Sequence, residues 1–221
     1  MQPTTKPRVG VFGGTFDPVH IGHLILAEQC REQAGLDEVW FIPAPRPPQK
    51  QRKPVTAFAH RVEMLSLAIA GNPSFRIDEL EKDRTGPSYT VDTLQELTVR
   101  DPSLDLHFIM GSDSLRDLPV WHKPARIVEL ATLVIAVRPS HLVPPLTELR
   151  QAMKLPETTA IRLQVVQTLF VDISSTDLRC RVQKGRSLRY LVPRAVECYI
   201  QQHRLYQEED DPEKGGERGQ L

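Results

Sequence analysis

Residues 8–23 read RVGVFGGTFDPVHIGH and combine a short apolar run, a glycine pair and two histidines. The run at 8–13 predicts a buried β-strand, because continuous apolar segments of this length that end in glycine are typical of parallel sheets. The segment 22–34, GHLILAEQCREQA, places apolar residues at helical spacing and ends before Gly35, a common helix terminator. This part of the chain therefore predicts a strand, a loop and a helix, with the loop at the carboxyl end of the strand.

The rest of the chain repeats this alternation. Further strands are predicted over 38–42, 75–77, 104–110, 133–137 and 162–166, and further helices over 58–70, 89–100, 177–183 and 193–203. The segment 43–54 begins PAPRPP and is predicted as a loop, because proline prevents regular structure. Apolar strands that alternate with helices indicate an α/β fold, a Rossmann-like doubly wound parallel sheet with a short C-terminal helical part.

The charge balance limits the partners and divides the chain. The 221 residues carry 28 basic and 28 acidic side chains, and a net charge of zero argues against binding a nucleic acid polymer. Residues 207–221 hold six acidic and two basic side chains, a net charge of −4, so the other 206 residues carry +4. We expect an α/β domain over 1–206 and an acidic tail over 207–221, which is expected to be disordered because it offers almost no aliphatic surface to bury.

Cysteine usage and hydropathy indicate the compartment. Cys30, Cys180 and Cys198 lie far apart and show no metal-binding spacing, which is typical of reduced thiols. No apolar run approaches the ~18 residues of a membrane span, and the first residues lack the apolar core of a signal peptide. The sequence therefore predicts a soluble cytoplasmic protein with no membrane partner; its oligomeric state is left open.

The loop after the first strand carries residues suited to phosphate chemistry. Gly13 and Gly14 would let the backbone approach a phosphate, and a helix that starts near Gly22 directs unsatisfied N–H groups to the same place. His20 and His23 can point to one side of that helix, where two imidazole donors suit a phosphoryl group that gains charge. Alternatives stay open from these residues alone: a glycine pair is a common turn, and a histidine pair can bind a metal or cap a helix. The GxGxxG spacing of dinucleotide sites is absent.

The combination of motifs is more specific. GGTFDPVHIGH at 13–23 resembles the signature of the HxGH nucleotidyltransferase superfamily, and most closely that of the bacterial nicotinate-nucleotide adenylyltransferases. Three further segments resemble motifs of that family in order: TGPSYTVDTL at 85–94, FIMGSDSL at 108–115 followed by Trp121, and ISSTDLR at 173–179. The resemblance spans about residues 8–203. It implies a nucleotidyltransferase-type sheet and the transfer of the adenylyl group of ATP to nicotinate mononucleotide, which gives deamido-NAD and pyrophosphate in NAD biosynthesis.

The resemblance also implies which residues form the site. The implied catalytic residues are His20, His23, Lys50 and Arg179. The implied ATP-binding residues are Gly13, Gly14, Thr15, Phe16, His20, His23, Gly111, Asp113, Ser174, Ser175, Thr176 and Arg179. The implied mononucleotide-binding residues are Thr85, Gly86, Tyr89, Trp121 and Lys50. No metal ligated by the protein is implied, and magnesium is expected to accompany the triphosphate of ATP.

These roles have physical reasons and plainer alternatives. N–H groups at the start of a helix at 174–176 can bind phosphates, with Arg179 adding charge, although the same hydroxyls could only cap that helix. Asp113 can accept hydrogen bonds from a ribose or cap its helix. Trp121 can stack on a pyridine ring or cover apolar surface, and Tyr89 can line the nicotinate side or pack in the core.

Two positions depart from the family pattern. Gln49 precedes Lys50 where a histidine is common, and His122 follows Trp121 where another aromatic residue is common. The alternatives to the implied function are an adenylyltransferase for nicotinamide mononucleotide or pantetheine phosphate, and a non-catalytic nucleotide-sensing module. The presence of both histidines, Lys50 and Arg179 favours an enzyme.

Overall fold

The computed structural model describes residues 6–46, 55–137, 143–169 and 171–207, and within them six parallel strands form one sheet. The strands are β1 Arg8–Gly14, β2 Glu38–Pro43, β3 Phe75–Ile77, β4 Asp105–Gly111, β5 Thr132–Val137 and β6 Leu163–Gln167. The helices are α1 Ile21–Ala34, α2 Phe58–Ile69, α3 Thr90–Arg100, α4 Ser112–Asp117, α5 Pro124–Leu130, α6 Leu146–Ala152, α7 Ser175–Gln183 and α8 Arg194–Gln202, with a 3₁₀ turn at Leu118–Val120.

The strand order places β1 and β4 side by side at the centre of the sheet. The order is β3-β2-β1-β4-β5-β6, so the chain winds outward in one direction from β1 and in the other from β4. Every neighbouring pair is parallel. The predicted doubly wound parallel sheet is confirmed. The strand order reverses between the paired strands β1 and β4, and sheets of this kind bind ligands at the carboxyl ends of the strands at such a switch point.

Both faces of the sheet are covered because consecutive strand residues point to opposite sides. On one side Phe12 and Phe41 pack with apolar residues of α1, α2, α7 and α8. On the other side Val11 and Trp40 pack with residues of α3, α4, α5 and α6. All six residues of β5 are buried, which explains why its sequence is apolar without alternation.

The predicted strands and the five predicted helices are all present, with ends within two residues of those expected. Helices α4, α5 and α6 were not predicted, because helices of six or seven residues are too short to show a clear apolar period. Pro124 is the first residue of α5, a position where proline is favourable. Most of the predicted loop at 43–54 and residues 208–221 of the predicted tail lie outside the described residues.

Within the described part of the chain, no helix combines the length and the apolarity that crossing a bilayer requires.

Candidate active site

The predicted site lies at the carboxyl ends of the two central strands. β1 ends at Gly14 and β4 ends at Gly111, on either side of the switch point. The β1–α1 loop, residues 15–20, leaves the sheet here and leads into α1. Elements that are far apart in the sequence then pack around this loop, and their contacts define the site.

The two histidines form a stacked pair at the start of α1. His20 precedes the helix and His23 lies in its first turn, and their ring centroids are 3.7 Å apart with 24° between the planes. The backbone N–H of His20 donates to Nδ1 of His23 at 3.2 Å. Since Nδ1 accepts this bond, the neutral ring of His23 carries its proton on Nε2 and can donate from there. The prediction that both side chains point to one side is confirmed.

The structure explains the glycine between the two histidines. A Cβ placed on Gly22 would come within 3.1 Å of Nδ1 and 3.2 Å of Cε1 of His20. A side chain here would therefore press on the imidazole and move it, so glycine at this position keeps His20 where it stacks on His23.

The environment of His20 favours its neutral form. The residue is only 6% exposed, and burial lowers the pKa of its imidazole from 6.5 to about 4. Its side chain faces the backbone N–H of His23 as in a capping box, but Nδ1 makes no hydrogen bond of normal geometry within the described residues. A buried ring nitrogen without a good partner marks this position as one that a ligand can complete.

The lowered pKa of His20 has a measurable effect on stability. The imidazole of His20 takes up a proton below pH 6.5 in the unfolded chain and only below about pH 4 in the folded chain. The contribution of His20 to the free energy of unfolding is therefore fully present above pH 6.5 and is lost as the pH falls from 6.5 to 4. The loss is on the order of 3 kcal/mol. We expect His20→Asn to make the free energy of unfolding, measured by urea denaturation, fall less steeply from pH 6.5 to 4.

A second histidine limits how much of that slope disappears. Burial also lowers the pKa of His107, a shift that Asp105 partly offsets, so His107 contributes an acid loss of the same direction. His107 lies near the start of β4, at the opposite end of that strand from Gly111. A slope in His20→Asn equal to that of the unmodified protein would contradict the assignment to His20.

Helix α7 packs directly against the β1–α1 loop. Nη1 of Arg179 donates to the carbonyl of Asp17 at 2.7 Å, and the Ser175 hydroxyl donates to the carbonyl of Pro18 at 2.9 Å. These contacts join residues more than 150 positions apart in sequence. They bring the ISSTDLR motif to the GGTFDPVHIGH motif, as the resemblance implied.

The capping alternative for the serines is correct for Ser174. Its side chain accepts the N–H of Asp177 at 3.0 Å and caps α7, which begins at Ser175. Thr176 is exposed and its hydroxyl accepts from Nη2 of Arg179 at 3.3 Å. Because the N–H of Asp177 is bonded to Ser174, the other first-turn N–H groups of α7 are the donors that this segment can offer to a phosphate.

The expectation that the N–H groups at the start of α1 are available to a phosphate needs a correction. The backbone N–H of Ile21 donates to the carbonyl of Leu191 at 3.0 Å, so the first N–H of α1 is not available to a phosphate. The N–H of His23 donates to the carbonyl of His20 at 2.9 Å. The donors that the start of α1 can offer to a phosphate are therefore mainly its imidazoles.

The glycines of the site differ in why they are glycine. A Cβ on Gly13, Gly86 or Gly111 would meet no heavy atom within 4 Å, and none of the three has a backbone conformation that requires glycine. A Cβ on Gly14 would come within 2.7 Å of the ring of Phe16. Packing alone therefore explains Gly14, whereas the structure leaves open space beside the other three.

This difference predicts opposite results for two neighbouring substitutions. We expect Gly13→Ala to keep the free energy of unfolding within ~1 kcal/mol and to weaken ATP binding at least tenfold, because the added methyl enters the space beside the backbone. We expect Gly14→Ala to lower stability by about 1–3 kcal/mol, because the Phe16 ring must move. Thermal unfolding and calorimetric titration with ATP measure the two effects. Unchanged ATP affinity in Gly13→Ala would contradict a ligand at this position.

Phe16 supports the histidines from inside the protein. Its φ is 48°, and its side chain is buried with the ring edge-on to His23 at 5.2 Å between centroids. Its predicted contact with ATP can therefore involve only its backbone.

Asp113 lies in the first turn of α4, where Gly111 is the capping position, so the alternative that Asp113 is the N-cap residue is wrong.

The predicted mononucleotide-binding segment lies beside the end of β2. Nη1 of Arg46 donates to the carbonyl of Thr85 at 3.0 Å, and the N–H of Ser88 donates to the carbonyl of Arg46 at 3.1 Å. The departure at His122 is accommodated, since its ring lies over that of Tyr89 with centroids 4.5 Å apart. Trp121 stands edge-on to Phe108 of β4 at 6.1 Å. Thr85, Tyr89 and the tryptophan segment therefore belong to one region.

Three residues that the sequence analysis did not single out hold the site together: Arg46, Arg61 and Tyr206. Arg61 and Tyr206 contact the β1–α1 loop from α2 and from the segment after α8. Arg61 and Tyr206 lie outside the four motifs, and the sequence around them does not indicate a role in the site, because an arginine in a helix and a tyrosine after the last helix are ordinarily surface residues. Lys50, the remaining predicted catalytic residue, lies outside the described residues.

Comparisons with known proteins agree with this arrangement. A family model described as cytidylyltransferase-like matches residues 11–181, a range that contains all four motifs. A protein of Thermomicrobium roseum named "probable nicotinate-nucleotide adenylyltransferase" is 46% identical over 199 residues, covering 90% of this chain and 91% of that protein. A protein of the same name from Thermus thermophilus is 48% identical, covering 90% and 99%.

A solved structure shares the fold. The Plasmodium falciparum nicotinic acid mononucleotide adenylyltransferase, determined in complex with NaAD, has a TM-score of 0.73 at 19% sequence identity and covers 90% of this chain and 97% of its own. At this identity the likeness concerns the fold.

Proposed function

Since the chain belongs to the family of the nicotinate-nucleotide adenylyltransferases, we propose that it transfers the adenylyl group of ATP to nicotinate mononucleotide, giving deamido-NAD and pyrophosphate. One observation supports the proposal most. The His20–His23 pair stands at the switch point of the sheet, and α7 holds Arg179 against the loop that carries the pair.

The reaction requires positioning and charge stabilisation. The nucleophile is a phosphate oxygen of the mononucleotide, which is already ionised at neutral pH, so no general base is needed. Its attack forms a bond to the α-phosphorus of ATP, and the bond to the bridging oxygen breaks, so pyrophosphate leaves with the electron pair. The protein must hold both phosphates in line and stabilise the charge that builds on the oxygens of the triphosphate.

The residues of the site would divide this work. Nε2–H of His23 and the imidazole of His20 would donate hydrogen bonds to the triphosphate. The first-turn N–H groups of α7 other than that of Asp177, together with the guanidinium of Arg179, would bind the β- and γ-phosphates, which become the leaving group. Gly13 and Gly111 would give the nucleotide close access to the backbone, and Asp113 would accept from its ribose. Lys50 is proposed to bind phosphate on the basis of its motif position.

The mononucleotide would lie on the side of Thr85 and Trp121. Backbone N–H groups of 85–89 would receive the nicotinate carboxylate, which accepts where the NH₂ group of an amide would be repelled. The N–H of Ser88 is already bonded to the carbonyl of Arg46, so the donors would be those of the neighbouring residues Gly86 and Tyr89. The indole of Trp121 would stack on the pyridine ring.

Magnesium enters the proposal together with ATP. Within the described residues, no three His, Cys, Asp or Glu side chains are grouped to hold a metal ion, so the oxygens of the triphosphate would supply the ligands of the metal. Magnesium would offset the charge of the triphosphate, in addition to the proposed contacts of His23 and Arg179 with the phosphates. We further propose a cytoplasmic protein with one catalytic domain over 1–206 and an acidic tail over 207–221.

The function is tested by pyrophosphate release from ATP and magnesium with three acceptors in parallel: nicotinate mononucleotide, nicotinamide mononucleotide and pantetheine phosphate. We expect pyrophosphate release with nicotinamide mononucleotide and with pantetheine phosphate to be far below that with nicotinate mononucleotide. Higher release with either other acceptor would replace the proposed substrate by that acceptor. ATP binding by calorimetry without release from any acceptor would support the nucleotide-sensing alternative.

A further inference from the structure

Asp17 is the buried centre of the β1–α1 loop. The residue is 2% exposed, and two protein groups contact its carboxylate. The Tyr206 hydroxyl donates to Oδ1 at 2.8 Å, and the backbone N–H of Thr56 donates to Oδ2 at 3.2 Å. Its own carbonyl accepts the bond from Arg179. A displacement of Asp17 would therefore move both the loop that leads to His20 and a contact of Arg179.

Tyr206 makes its contact with Asp17 across 189 positions of the sequence. It follows α8, in a segment that adopts left-handed backbone conformations, with φ of 49° at Arg204 and 64° at Tyr206. Such conformations are unfavourable for residues other than glycine and persist only where the surroundings impose them. Burial of the hydroxyl beside the Asp17 carboxylate raises the pKa of Tyr206, so the hydroxyl stays protonated and remains a donor.

Arg61 of α2 also holds the β1–α1 loop in place. It is 1% exposed, and its guanidinium donates to the carbonyls of Thr15, Ala44 and Thr56 at 2.7–2.9 Å. A buried charge is costly unless it is hydrogen-bonded and compensated. Burial lowers the pKa of Arg61, and the nearby negative charge of Asp17 partly offsets this shift. The β1–α1 loop is thus fixed by α2 and α7 and, through Tyr206, by the C-terminal segment.

We propose that Tyr206 is a positioning residue of the active site, whose hydroxyl holds Asp17 and with it the β1–α1 loop in the conformation that presents the two histidines. This inference rests on the proposed function for its effect on turnover. Tyr206 touches no substrate in this proposal, and it acts through Asp17. The consequence is that the segment after α8, at the far end of the chain, is part of the support of the catalytic loop.

A plainer alternative is that Tyr206 only anchors the C-terminal segment. Tyr199 offers a matched control, because it lies on α8 and its hydroxyl is hydrogen-bonded to Nδ1 of His60 on α2 at 2.9 Å. Tyr206→Phe and Tyr199→Phe each remove one hydroxyl that joins the C-terminal region to the rest of the protein. Only the first of them removes a bond to the β1–α1 loop.

The first experiment compares kinetics of the two full-length variants. We expect Tyr206→Phe to lower kcat at least tenfold with the KM for ATP changed less than threefold, because α7 still binds the phosphates while the histidines lose their fixed positions. We expect Tyr199→Phe to keep kcat within a factor of two. Equal kcat in the two variants, or a loss confined to KM in Tyr206→Phe, would overturn the proposal.

A second variant reaches the same hydrogen bond from the other side. Asp17→Asn keeps the shape of the side chain and removes the charge that the Tyr206 hydroxyl meets. We expect Asp17→Asn to lower kcat as well. We expect the kcat of the double variant Asp17→Asn/Tyr206→Phe to be no lower than that of the slower single variant, because both substitutions disrupt the same hydrogen bond. Multiplying losses would mean that Tyr206 acts independently of Asp17.

Hydrogen–deuterium exchange separates a failure of this inference from a failure of the proposed function. We expect faster exchange in a peptide covering residues 12–20 in Tyr206→Phe than in Tyr199→Phe, whatever reaction the protein catalyses. Pyrophosphate release by the unmodified protein tests the function. Activity without a difference in exchange or in kcat rejects the inference alone, whereas faster exchange in an inactive protein rejects the function alone.

Discussion

Replacing His20 by alanine is expected to lower kcat for pyrophosphate release by about 10²- to 10³-fold, the usual cost of removing one positioned donor at a developing charge. The stacked pair would lose one of its two imidazoles, and His23 would lose the ring that lies 3.7 Å from its own. The KM for ATP is expected to change less than about fivefold, because the α7 donors and Arg179 remain. Steady-state kinetics with varied ATP separate the two parameters.

His107→Asn is the control for this substitution. His107 is also buried, but its Nε2 lies 3.1 Å from Asp105 at the beginning of β4, far from the loop. We expect this variant to keep kcat within a factor of two, even if its stability falls. A kcat in His20→Ala close to that of His107→Asn would show that His20 has only a structural role.

Replacing Arg179 by methionine is expected to lower kcat/KM for ATP by about 10²- to 10³-fold. The substitution removes two things at once: the charge directed at the phosphates and the 2.7 Å bond to the carbonyl of Asp17. Methionine matches the stem of arginine out to about the position of Nε, so the loss of apolar packing along that stem is small. Because both ground-state binding and the leaving group are affected, we expect KM to rise and kcat to fall together.

Arg181→Met provides the matched control on the same helix. The guanidinium of Arg181 donates to the carbonyl of Ser187, which lies beyond the C-terminal end of α7. Both substitutions remove one positive charge from α7, but only Arg179 contacts the β1–α1 loop. We expect Arg181→Met to keep kcat/KM within a factor of three. A loss of the same size in both variants would indicate a general electrostatic effect instead of a specific contact.

Much of the site was predictable because its motifs are contiguous in the sequence. The pairing of His20 with His23 depends only on helical spacing, and the cap at Ser174 depends only on the residues that follow it. The resemblance added the order of the four segments. The expectation of free N–H groups at the start of α1 was wrong in part, because the carbonyl of Leu191, in a distant segment of the chain, accepts the N–H of Ile21.

The sequence by itself determined the order of the six strands and the five longer helices, the parallel sheet and the loop at the carboxyl end of β1, because apolar periodicity and turn residues act within about ten neighbouring residues. Only the tertiary structure decided that Arg61 and Tyr206 belong to the site, and that Gly14 is required by Phe16 while Gly13 is not. The physical reason is that the role of a buried polar group depends on the hydrogen-bond partners that folding places next to it. The Tyr206 hydroxyl finds its carboxylate 189 positions away, and no local pattern records such a distance.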